Sequence, residues 1–411
     1  MPVFSIPLSG LTASSIALST IANNLANLNT VGYKETRVLF RDLFYQTLGS
    51  NGAGDPLQQG AGTAISAMPS MFTQGNIDPS GVATDVAITG EGLFVTQKDG
   101  VVSYTRAGNF EVDKSAQLVT AEGAQVMGYP AVNGAISRGQ GLAPLVLGTG
   151  TISPAVATGN VQVRTNLNAA ASVGDSYSTP LTVYDSLGAS HVLKFTFTKA
   201  AANQWGYAIT IPAADVGGTG AATSIGSGTL SFDGGGNLTS PVADVAGIAV
   251  SGLADGASSM SFNWKLYDGG SGLLTQVAAP SSTVSSLQDG SGSGALVSFA
   301  IGADGTITGT FSNDKTAMLG QLALAKFGNV EGLLRSGRNS FIATLASGDA
   351  VIGAAGTGGR GSLSGGALEL SNVDIAKEFA ALIVAQRGFQ ANARVVTTFD
   401  EITQDTINLK R

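Results

Sequence analysis

Only a few residues in this chain combine a reactive type with a spacing that chemistry requires. The 411 residues include no cysteine and one histidine, His191. The lack of cysteine excludes thiolate sites, and with a single histidine we expect neither a Ser-His-Asp triad nor a histidine-based metal site. His191 lies in the strand-like segment SHVLKF, and we expect it on the surface of a strand. We therefore predict no catalytic residue, no metal ligand and no bound cofactor.

Three other motifs resemble parts of enzyme sites but lack the surroundings of those sites. Residues 312–315 fit the S-x-x-K pattern of penicillin-recognising enzymes, yet they lie in a turn-like context and no K-T-G follows. The glycine-rich tracts at 216–220 and 268–272 lack the strand, helix and lysine that surround a phosphate-binding loop. We interpret all three motifs as turns.

The composition favours several folded domains and limits the classes of partner. The chain is 43% hydrophobic and 12% charged, with a net charge of −7, and its length predicts about two to four domains. No Lys- or Arg-rich stretch occurs, which argues against nucleic acid and anionic membranes as partners.

The first basic residue is Lys34, so a secretory signal is not indicated. We expect no transmembrane helix, because no run of roughly 18 apolar residues occurs.

The first segment of the chain has a helical heptad pattern. Apolar or small residues recur at spacings of four and three, at Phe4, Leu8, Leu11, Ser15, Leu18, Ala22 and Leu25. This spacing predicts a helix over about residues 5–28 with a close-packed neighbour. Because no charged residue precedes Lys34, we expect this helix to be buried against copies of itself.

The last segment repeats the same pattern. The seam positions are Ile375, Phe379, Leu382, Gln386, Phe389, Ala393 and Val396, after which the seam slips to Phe399, Ile402, Thr406 and Leu409. Ser371 or Asn372 is the predicted N-cap of this helix, with Asp374 in its first turn. The two ends of the chain therefore match each other.

The middle of the chain predicts β structure. No glutamate occurs between Glu122 and Glu331, and strand-turn-strand patterns occur at 93–106 and 299–311. We predict a multidomain fold in which terminal α-helices form a coiled-coil-like rod, with nested all-β domains between them. The predicted parts are a terminal helical domain (1–30 and 371–411), a connecting segment (31–75), a split β domain (76–150 and 291–370) and an inserted outer β domain (151–290).

Several of these segments resemble the bacterial flagellar axial proteins, the family of rod and hook proteins. ANNLANLNTVGYK (22–34), residues 72–96 and residues 368–402 resemble the family's shared motifs, and TVYDSLGASHVLKFTFTK (182–199) points to its hook members. The motif residues are Asn23, Asn24, Asn27, Asn29, Gly32, Tyr33, Gln386 and Arg387. Val31 departs from the family pattern, in which a proline is common.

The resemblance implies a structural subunit of the flagellar hook, which polymerises into a flexible tubular joint and transmits torque from rod to filament. The terminal helices would line the inner tube. The residues that we expect to carry inner-tube packing and polymerisation are Leu8, Leu11, Leu18, Leu25, Ile375, Phe379, Leu382, Phe389 and Val396.

The resemblance also implies the partners and the location of the chain. The partners would be copies of itself, the rod and hook–filament junction proteins, the hook cap protein and the flagellar type III export apparatus, with no nucleic acid and no membrane insertion. The chain would be extracellular, in the flagellum, and exported without a cleaved signal peptide.

Three alternatives remain open at this point. A distal rod-like axial protein would share both ends but would be shorter and would lack the inserted domain. A secreted adhesin or binding module of β-sandwiches would have a ligand pocket and no need for terminal helices. An extracellular hydrolase that uses only Asp and Glu would be active as a monomer, but we see no convergent acidic motif.

Overall fold

The computed structural model describes residues 5–44, 46–132, 134–147 and 152–408. The chain divides into two compact units, which we call the helix-bearing unit and the central unit. The helix-bearing unit comprises Met1–Gly148, Phe299–Gly309 and Ala317–Arg411, and the central unit comprises Thr149–Ser298 and Thr310–Thr316. The predicted seam positions Phe4 and Leu409 lie outside the described residues. The finer four-part division made from the sequence stays a prediction.

The two predicted terminal helices are confirmed, as α1 (Ser5–Ala26) and α2 (Ile375–Asn408), and they pack together. The predicted N-cap of α2 is wrong. Asp374 caps the helix, because its Oδ1 accepts hydrogen bonds from the backbone N–H groups of Ala376 (2.8 Å) and Lys377 (3.1 Å). The Asn372 side chain has other partners, among them the carbonyl of Met71 at 2.8 Å.

The expectation that no helix could span a membrane was too strict. Helix α1 has 22 residues and a mean hydropathy of 1.3 over its most apolar window, so it has the length and composition of a membrane-spanning helix. Ser, Thr and Asn residues interrupt its apolar runs, which is why a search for an unbroken run missed it. The same length and composition also occur in helices that are covered by protein, and only length and composition support a membrane span here.

The strands follow the chain in three groups. The first group is β1 Leu39–Asp42, β2 Gln46–Ser50, β3 Pro56–Gln59, β4 Thr63–Ala67, β5 Ile77–Pro79, β6 Val86–Thr89, β7 Leu93–Lys98, β8 Val101–Thr105, β9 Phe110–Val112, β10 Leu118–Thr120, β11 Gln125–Val132, β12 Ala135–Ile136 and β13 Ala143–Pro144. The second group is β14 Ile152–Ser153, β15 Asn160–Asn168, β16 Ser176–Tyr184, β17 Ser190–Ala201, β18 Gln204–Ile211, β19 Thr223–Phe232, β20 Leu238–Ser240, β21 Val245–Val250, β22 Met260–Lys265, β23 Tyr267–Asp268, β24 Ser271–Gly272, β25 Leu274–Val277 and β26 Ser282–Gln288. The third group is β27 Gly294–Ile301, β28 Thr306–Phe311, β29 Thr316–Lys326, β30 Leu334–Gly337, β31 Ser340–Ile342, β32 Val351–Ala354, β33 Ser362–Gly365 and β34 Ala367–Glu369. Short 3-10 turns occur at Arg138–Gln140, Ala213–Val216 and Val330–Gly332.

An antiparallel sheet organises the helix-bearing unit, with the strands in the order β29, β11, β7, β8, β31 and β30. Strands β7 and β8 form the predicted hairpin, with Val95 opposite Tyr104. The turn between them places Asp99 at φ 50° and Gly100 at φ 80°, which is the left-handed conformation that an Asp-Gly turn adopts. The chain that leads into α2 joins this unit through β33 beside β6 and β34 beside β5.

Strand β7 is buried on both faces and separates two hydrophobic cores. Phe94 belongs to one core, where its ring meets Phe110 edge-on at 5.0 Å. Leu93 and Val95 point the other way, into a core that contains Tyr104. Successive side chains of a strand alternate between faces, so a run of buried residues requires cover on both sides.

The predicted connecting segment at 31–75 contains two antiparallel strand pairs, one nested inside the other along the chain. Strand β1 pairs with β4, and β2 pairs with β3. Leu48 and Leu57 of the β2–β3 hairpin are 65% and 52% exposed. The segment also touches α1, because the backbone N–H of Thr63 donates to Oγ of Ser9 at 3.2 Å.

The central unit is a sandwich of two sheets. One sheet is the meander β16–β17–β18–β19–β20, and the other has the order β21–β22–β15–β25, with β26 also paired to β15. Residues along β17 alternate between buried and exposed, as in a strand with one face on a core. Trp264 of β22 is fully buried between the sheets, with the ring of Tyr207 at 5.0 Å and that of Phe195 at 5.2 Å.

Truncating Trp264 should strongly destabilise the central unit. We expect Trp264→Ala to lower its free energy of unfolding by about 3–5 kcal/mol, because the substitution leaves a large cavity in a close-packed core. Val284→Ala is the control, since Val284 is 74% exposed in the same unit. Urea denaturation followed by circular dichroism measures both variants, and equal effects would contradict the described core.

Candidate functional site

The terminal helices contact each other through small residues. A Cβ atom added to Gly10 would lie 2.7 Å from Nδ2 of Asn392, so the two backbones approach closely at this point. A Cβ atom added to Gly388 would lie 3.5 Å from Oγ of Ser14. The groove between the helices is lined mainly by small side chains, among them Ala13, Ala17, Ala381 and Ala385.

The predicted inner-tube residues form no buried core in the single chain. Leu8 is 58% exposed, Phe379 52%, Ile375 46% and Phe389 38%. The remaining predicted positions, Leu11, Leu18, Leu25, Leu382 and Val396, are half-buried. The helix pair therefore leaves a broad apolar surface in contact with water, and such surfaces mark interaction sites.

The turn after α1 is built from the asparagines of the family motif. Asn24 is buried, and its side chain donates to the carbonyl of Thr36 and accepts from the N–H of Thr36, both at 3.0 Å. The Tyr33 hydroxyl donates to Oδ1 of Asn24 at 3.1 Å. Asn23 Nδ2 lies 3.2 Å from the Tyr33 hydroxyl, and Asn27 Nδ2 donates to the Asn23 carbonyl at 2.9 Å. These residues fix the direction in which the chain leaves α1.

Gly32 closes this turn against the rest of the unit. Its φ of 65° lies in the left-handed region, and an added Cβ would lie 2.6 Å from the backbone nitrogen of Ala107. The N–H of Gly32 donates to the Glu369 carbonyl at 2.7 Å. The other motif residues, Asn29, Gln386 and Arg387, are exposed.

A buried group of charges, which we call the anchor, lies where both terminal segments meet the sheet. Glu369 has a fully buried side chain, and its Oε1 accepts from Nζ of Lys34 at 2.7 Å while its Oε2 accepts from Nε of Arg106. Burial lowers the pKa of Lys34, and the Glu369 carboxylate opposes that shift. A buried ion pair stays charged only if its partners and hydrogen bonds compensate the lost water.

Backbone hydrogen bonds complete the anchor. Lys34 Nζ donates to the Thr73 carbonyl at 2.7 Å, and the N–H of Gly75 donates to Oε1 of Glu369 at 2.8 Å. The Arg106 guanidinium donates to the carbonyls of Ile88 (2.9 Å) and Gly90 (2.7 Å). The anchor therefore ties together the chain after α1, the end of β8 and the chain before α2.

Arg106 and Glu369 were not predicted as interacting residues, although Arg106 ends the predicted strand-turn-strand pattern at 93–106 and Glu369 lies in the segment 368–402 that carries the family resemblance. One signal was available, since each is a lone charged residue in strand-like surroundings in a chain with few charges. Charged residues are rarely buried unless they are paired, but nothing in the sequence indicates that positions 263 residues apart are partners.

A second buried carboxyl, Glu378, lies in the first turn of α2. It is 4% exposed, and among the described residues its Oε2 has no hydrogen-bond partner. The pKa of this carboxyl is raised, chiefly because burial disfavours the charged form. A hydrogen bond with the Asn24 amide partly opposes this shift, and the nearby Glu35 carboxylate adds to it. Glu378 is therefore harder to ionise than a free glutamate, at the place where α2 meets the turn after α1.

The structure overturns the expectation that His191 is a surface residue. His191 is 6% exposed, in the central unit, with Nε2 at 3.0 Å from Oδ2 of Asp185 and Nδ1 at 3.1 Å from Oδ2 of Asp215. A third carboxylate oxygen, Oδ2 of Asp255, lies 3.9 Å from Nε2. Burial alone would lower the pKa of His191, but the hydrogen bonds and charges of the carboxylates outweigh burial, so its pKa is raised. Burial alone would raise the pKa of Asp185, but its hydrogen bonds hold that pKa at about 2.

The S-x-x-K segment is a turn, as predicted. Residues 312–315 join β28 to β29, and Asp314 has a φ of 56°. The backbone N–H of Phe311 donates to the carbonyl of Lys315 at 2.9 Å, which closes the turn. Asn313 donates its side-chain amide to the Gly292 carbonyl at 2.8 Å. The first of these bonds closes the turn, and the second ties the turn to the chain at Gly292.

Four protein-family models match the chain. They are described as flagella basal body rod protein (residues 6–34), flagellar hook protein FlgE/F/G D1 domain (87–171), flagellar basal body protein FlaE D2 domain (153–291) and flagellar basal body rod FlgEFG protein C-terminal (364–409). The matches therefore cover the first helix, parts of both units and the last helix.

Relatives with similar sequences match along nearly the whole chain. The flagellar hook protein FlgE of Salmonella typhimurium is 36% identical over 422 residues, covering 99% of this chain and 100% of the relative. The flagellar hook protein FlgE of Treponema pallidum is 34% identical over 458 residues, covering 98% of each chain. Among solved structures, Helicobacter pylori flagellar hook protein FlgE2 matches with a TM-score of 0.49 and 15% identity, over 71% of this chain and 100% of that one.

Neutralising the buried carboxylate of the anchor should destabilise the helix-bearing unit. We expect Glu369→Gln to lower its free energy of unfolding by about 3–5 kcal/mol, because Lys34 and Arg106 would remain buried without a counter-charge. The control is Glu91→Gln, which breaks the Glu91–Lys326 pair, whose side chains are 72% and 37% exposed, and should cost less than about 1 kcal/mol. If urea denaturation gave equal losses for both variants, the anchor would not be a stabilising element.

The pH dependence of stability should reveal Glu378. Its folded-state pKa is raised, so the folded chain loses stability as the pH rises from the ordinary value of 4.5 through the raised pKa. Glu378→Gln removes that loss and should raise the free energy of unfolding at pH 7 by roughly 1 kcal/mol, with no gain at pH 4. Glu401→Gln, at an exposed position of the same helix, is the control. A gain that is the same at both pH values would contradict this account.

Proposed function

Because this chain belongs to the flagellar hook protein family and is a structural subunit of the hook, we propose that its copies polymerise into a flexible tube that passes torque from rod to filament. Membership of the family rests on the 36% identity over nearly the full length of both chains. The hook is a part of the flagellum outside the cell, and we place the chain there.

The observation that carries the proposal is the uncovered apolar surface of the helix pair. Leu8, Phe379, Ile375 and Phe389 are exposed, and Val384 and Ile402 extend the surface at 71% and 54% exposure. Because α1 and α2 contact each other through small residues, their contact buries little of the large apolar side chains. Copies of the chain that pack around the pair would remove the remaining apolar area from water.

The anchor supports the mechanical part of the proposal. Force applied to the terminal helices passes into the sheet through Lys34, Arg106 and Glu369, which are held by paired charges and backbone hydrogen bonds in a buried setting. Such a junction resists displacement, because moving either charge away would leave it buried without a partner. We propose that the stiff parts of the tube are the helices and this junction.

The finer assignments made from the sequence are also part of the proposal. We assign the nine helix positions to inner-tube packing, and the segments 76–150 with 291–370 and 151–290 to the middle and outer layers. We propose that the subunit meets the rod and hook–filament junction proteins and the hook cap, that it leaves through the type III export apparatus without a cleaved signal, and that it has no enzymatic role. The distal rod-like alternative would share the helix surface but would lack the unit between residues 153 and 291. The adhesin and hydrolase alternatives have no comparable support in the helix surface.

A charge placed on the helix surface tests the assembly proposal. We expect Leu18→Asp and Phe389→Asp to abolish tube formation, because the polymer would have to bury an unpaired carboxylate at an apolar contact. The measurement is electron microscopy of purified, seeded subunits, with sedimentation to quantify the polymer. Circular dichroism on the same samples should show an unchanged β signal.

The matched controls keep the apolar character of both positions. Leu18→Met and Phe389→Leu change shape modestly, so they should assemble like the parent chain. Normal tubes from either aspartate variant would overturn the assignment of that helix face to the polymer. Loss of assembly in the conservative variants as well would show that the test reports folding and not the charge.

A further inference from the structure

We propose that the central unit contains a binding site for one divalent transition-metal ion, with Nε2 of His191 and the Oδ2 atoms of Asp185 and Asp255 as its protein ligands. The proposal goes beyond the hook function and does not depend on it. The expectation of no metal ligand came from counting histidines and cysteines. That count did not consider carboxylates 6 and 64 positions from the histidine, which the fold brings together.

The geometry fits a single ion. Nε2 of His191 lies 3.0 Å from Oδ2 of Asp185 and 3.9 Å from Oδ2 of Asp255, and the three ligand atoms lie within 4.8 Å of one another. Zinc binds imidazole nitrogen and carboxylate oxygen at about 2.0–2.2 Å, so two ligands of one ion lie at most about 4.4 Å apart. Both distances from Nε2 meet this limit. One imidazole and two carboxylates favour a transition metal over magnesium or calcium, which prefer oxygen alone.

The surroundings of His191 select the nitrogen that would bind the metal. Oδ2 of Asp215 lies 3.1 Å from Nδ1, so it can accept a hydrogen bond from a protonated Nδ1 and leave the lone pair of Nε2 directed at Asp185 and Asp255. A carboxylate behind the imidazole is the usual outer partner of a metal-binding histidine. A neutral His191 in this tautomer would direct its lone pair at two carboxylates, which is repulsive unless a cation lies between them.

The charge of the group favours a divalent ion over a proton. Three carboxylates surround one imidazole, and among the described residues none of the three has an ion-pair partner other than His191. A protonated histidine would leave an excess of two negative charges around Asp185, whose side chain is fully buried. A divalent ion with a neutral imidazole reduces that excess to one.

The group is open enough for an ion to enter. The side chains of Asp215 and Asp255 are 28% and 32% exposed, whereas Asp185 and His191 are buried. Asp185 is held in place by its other oxygen, which accepts from the N–H groups of Leu187 (2.8 Å) and Ala189 (2.9 Å). The site therefore has a fixed inner side and a solvent-facing outer side.

The single histidine of the chain allows a direct test in the full-length protein. The protein is made without a histidine tag, labelled with 15N-histidine, treated with EDTA and titrated with zinc chloride. We expect one equivalent of Zn²⁺ to bind by calorimetry and to shift the His191 Nε2 resonance much more than that of Nδ1. Asp255→Asn and His191→Gln should lose the binding, and Asp215→Asn should weaken it roughly 10–100-fold.

The control is Asp233→Asn, because Asp233 accepts backbone hydrogen bonds in a turn of the same unit but has no histidine partner. It should bind zinc like the parent chain. If both nitrogens of His191 stay protonated and unshifted in excess zinc, the group holds a proton only and the proposal is wrong. Equal binding by parent chain and Asp255→Asn would likewise overturn it, and neither result would affect the hook function.

Discussion

The buried carboxylate of Glu369 is the interaction on which the helix-bearing unit depends. It holds Lys34 and Arg106 at once, and the backbone on either side of it pairs with strand β5 and with the turn at Gly32. These contacts join the exit of α1 to the approach of α2, although 335 positions separate Lys34 from Glu369. This charge group therefore holds the chain that leaves α1 next to the chain that enters α2.

In the helix pair, small residues form the contact while many of the large apolar side chains remain accessible to water. The helices meet through glycine, alanine and serine, and their leucine, isoleucine and phenylalanine side chains remain exposed or half-buried. The two units carry their own hydrophobic cores, and none of the nine predicted helix positions belongs to them. A subunit of the hook thus encloses its strands in cores of its own but leaves the apolar surface of its helices exposed, and that exposure is the basis of the assembly proposal.

The sequence predicts the elements of this fold well and their contacts poorly. Heptad spacing places both helices to within a few residues, and Asp-Gly turns locate the hairpin at 93–106, because these signals depend on neighbouring residues alone. Partners distant in the chain give no such local signal. The Lys34–Glu369–Arg106 anchor, the group around His191 and the hydrogen bond that diverts Asn372 from capping α2 all join such distant segments. The heptads predicted a close-packed neighbour for the first helix but did not identify the small residues at the contact, among them Gly10, Ala13 and Ala381.

The enclosed core of the central unit has an evolutionary consequence. Trp264, Phe195 and Tyr207 pack against residues of the same unit, and both of its sheets close over that core. Mutations that lengthen a loop or exchange a strand there leave the anchor and the helix pair untouched. Such a unit can diverge in sequence without loss of the contacts at the anchor and between the helices. Tolerance to inserted tags should therefore concentrate between residues 152 and 298.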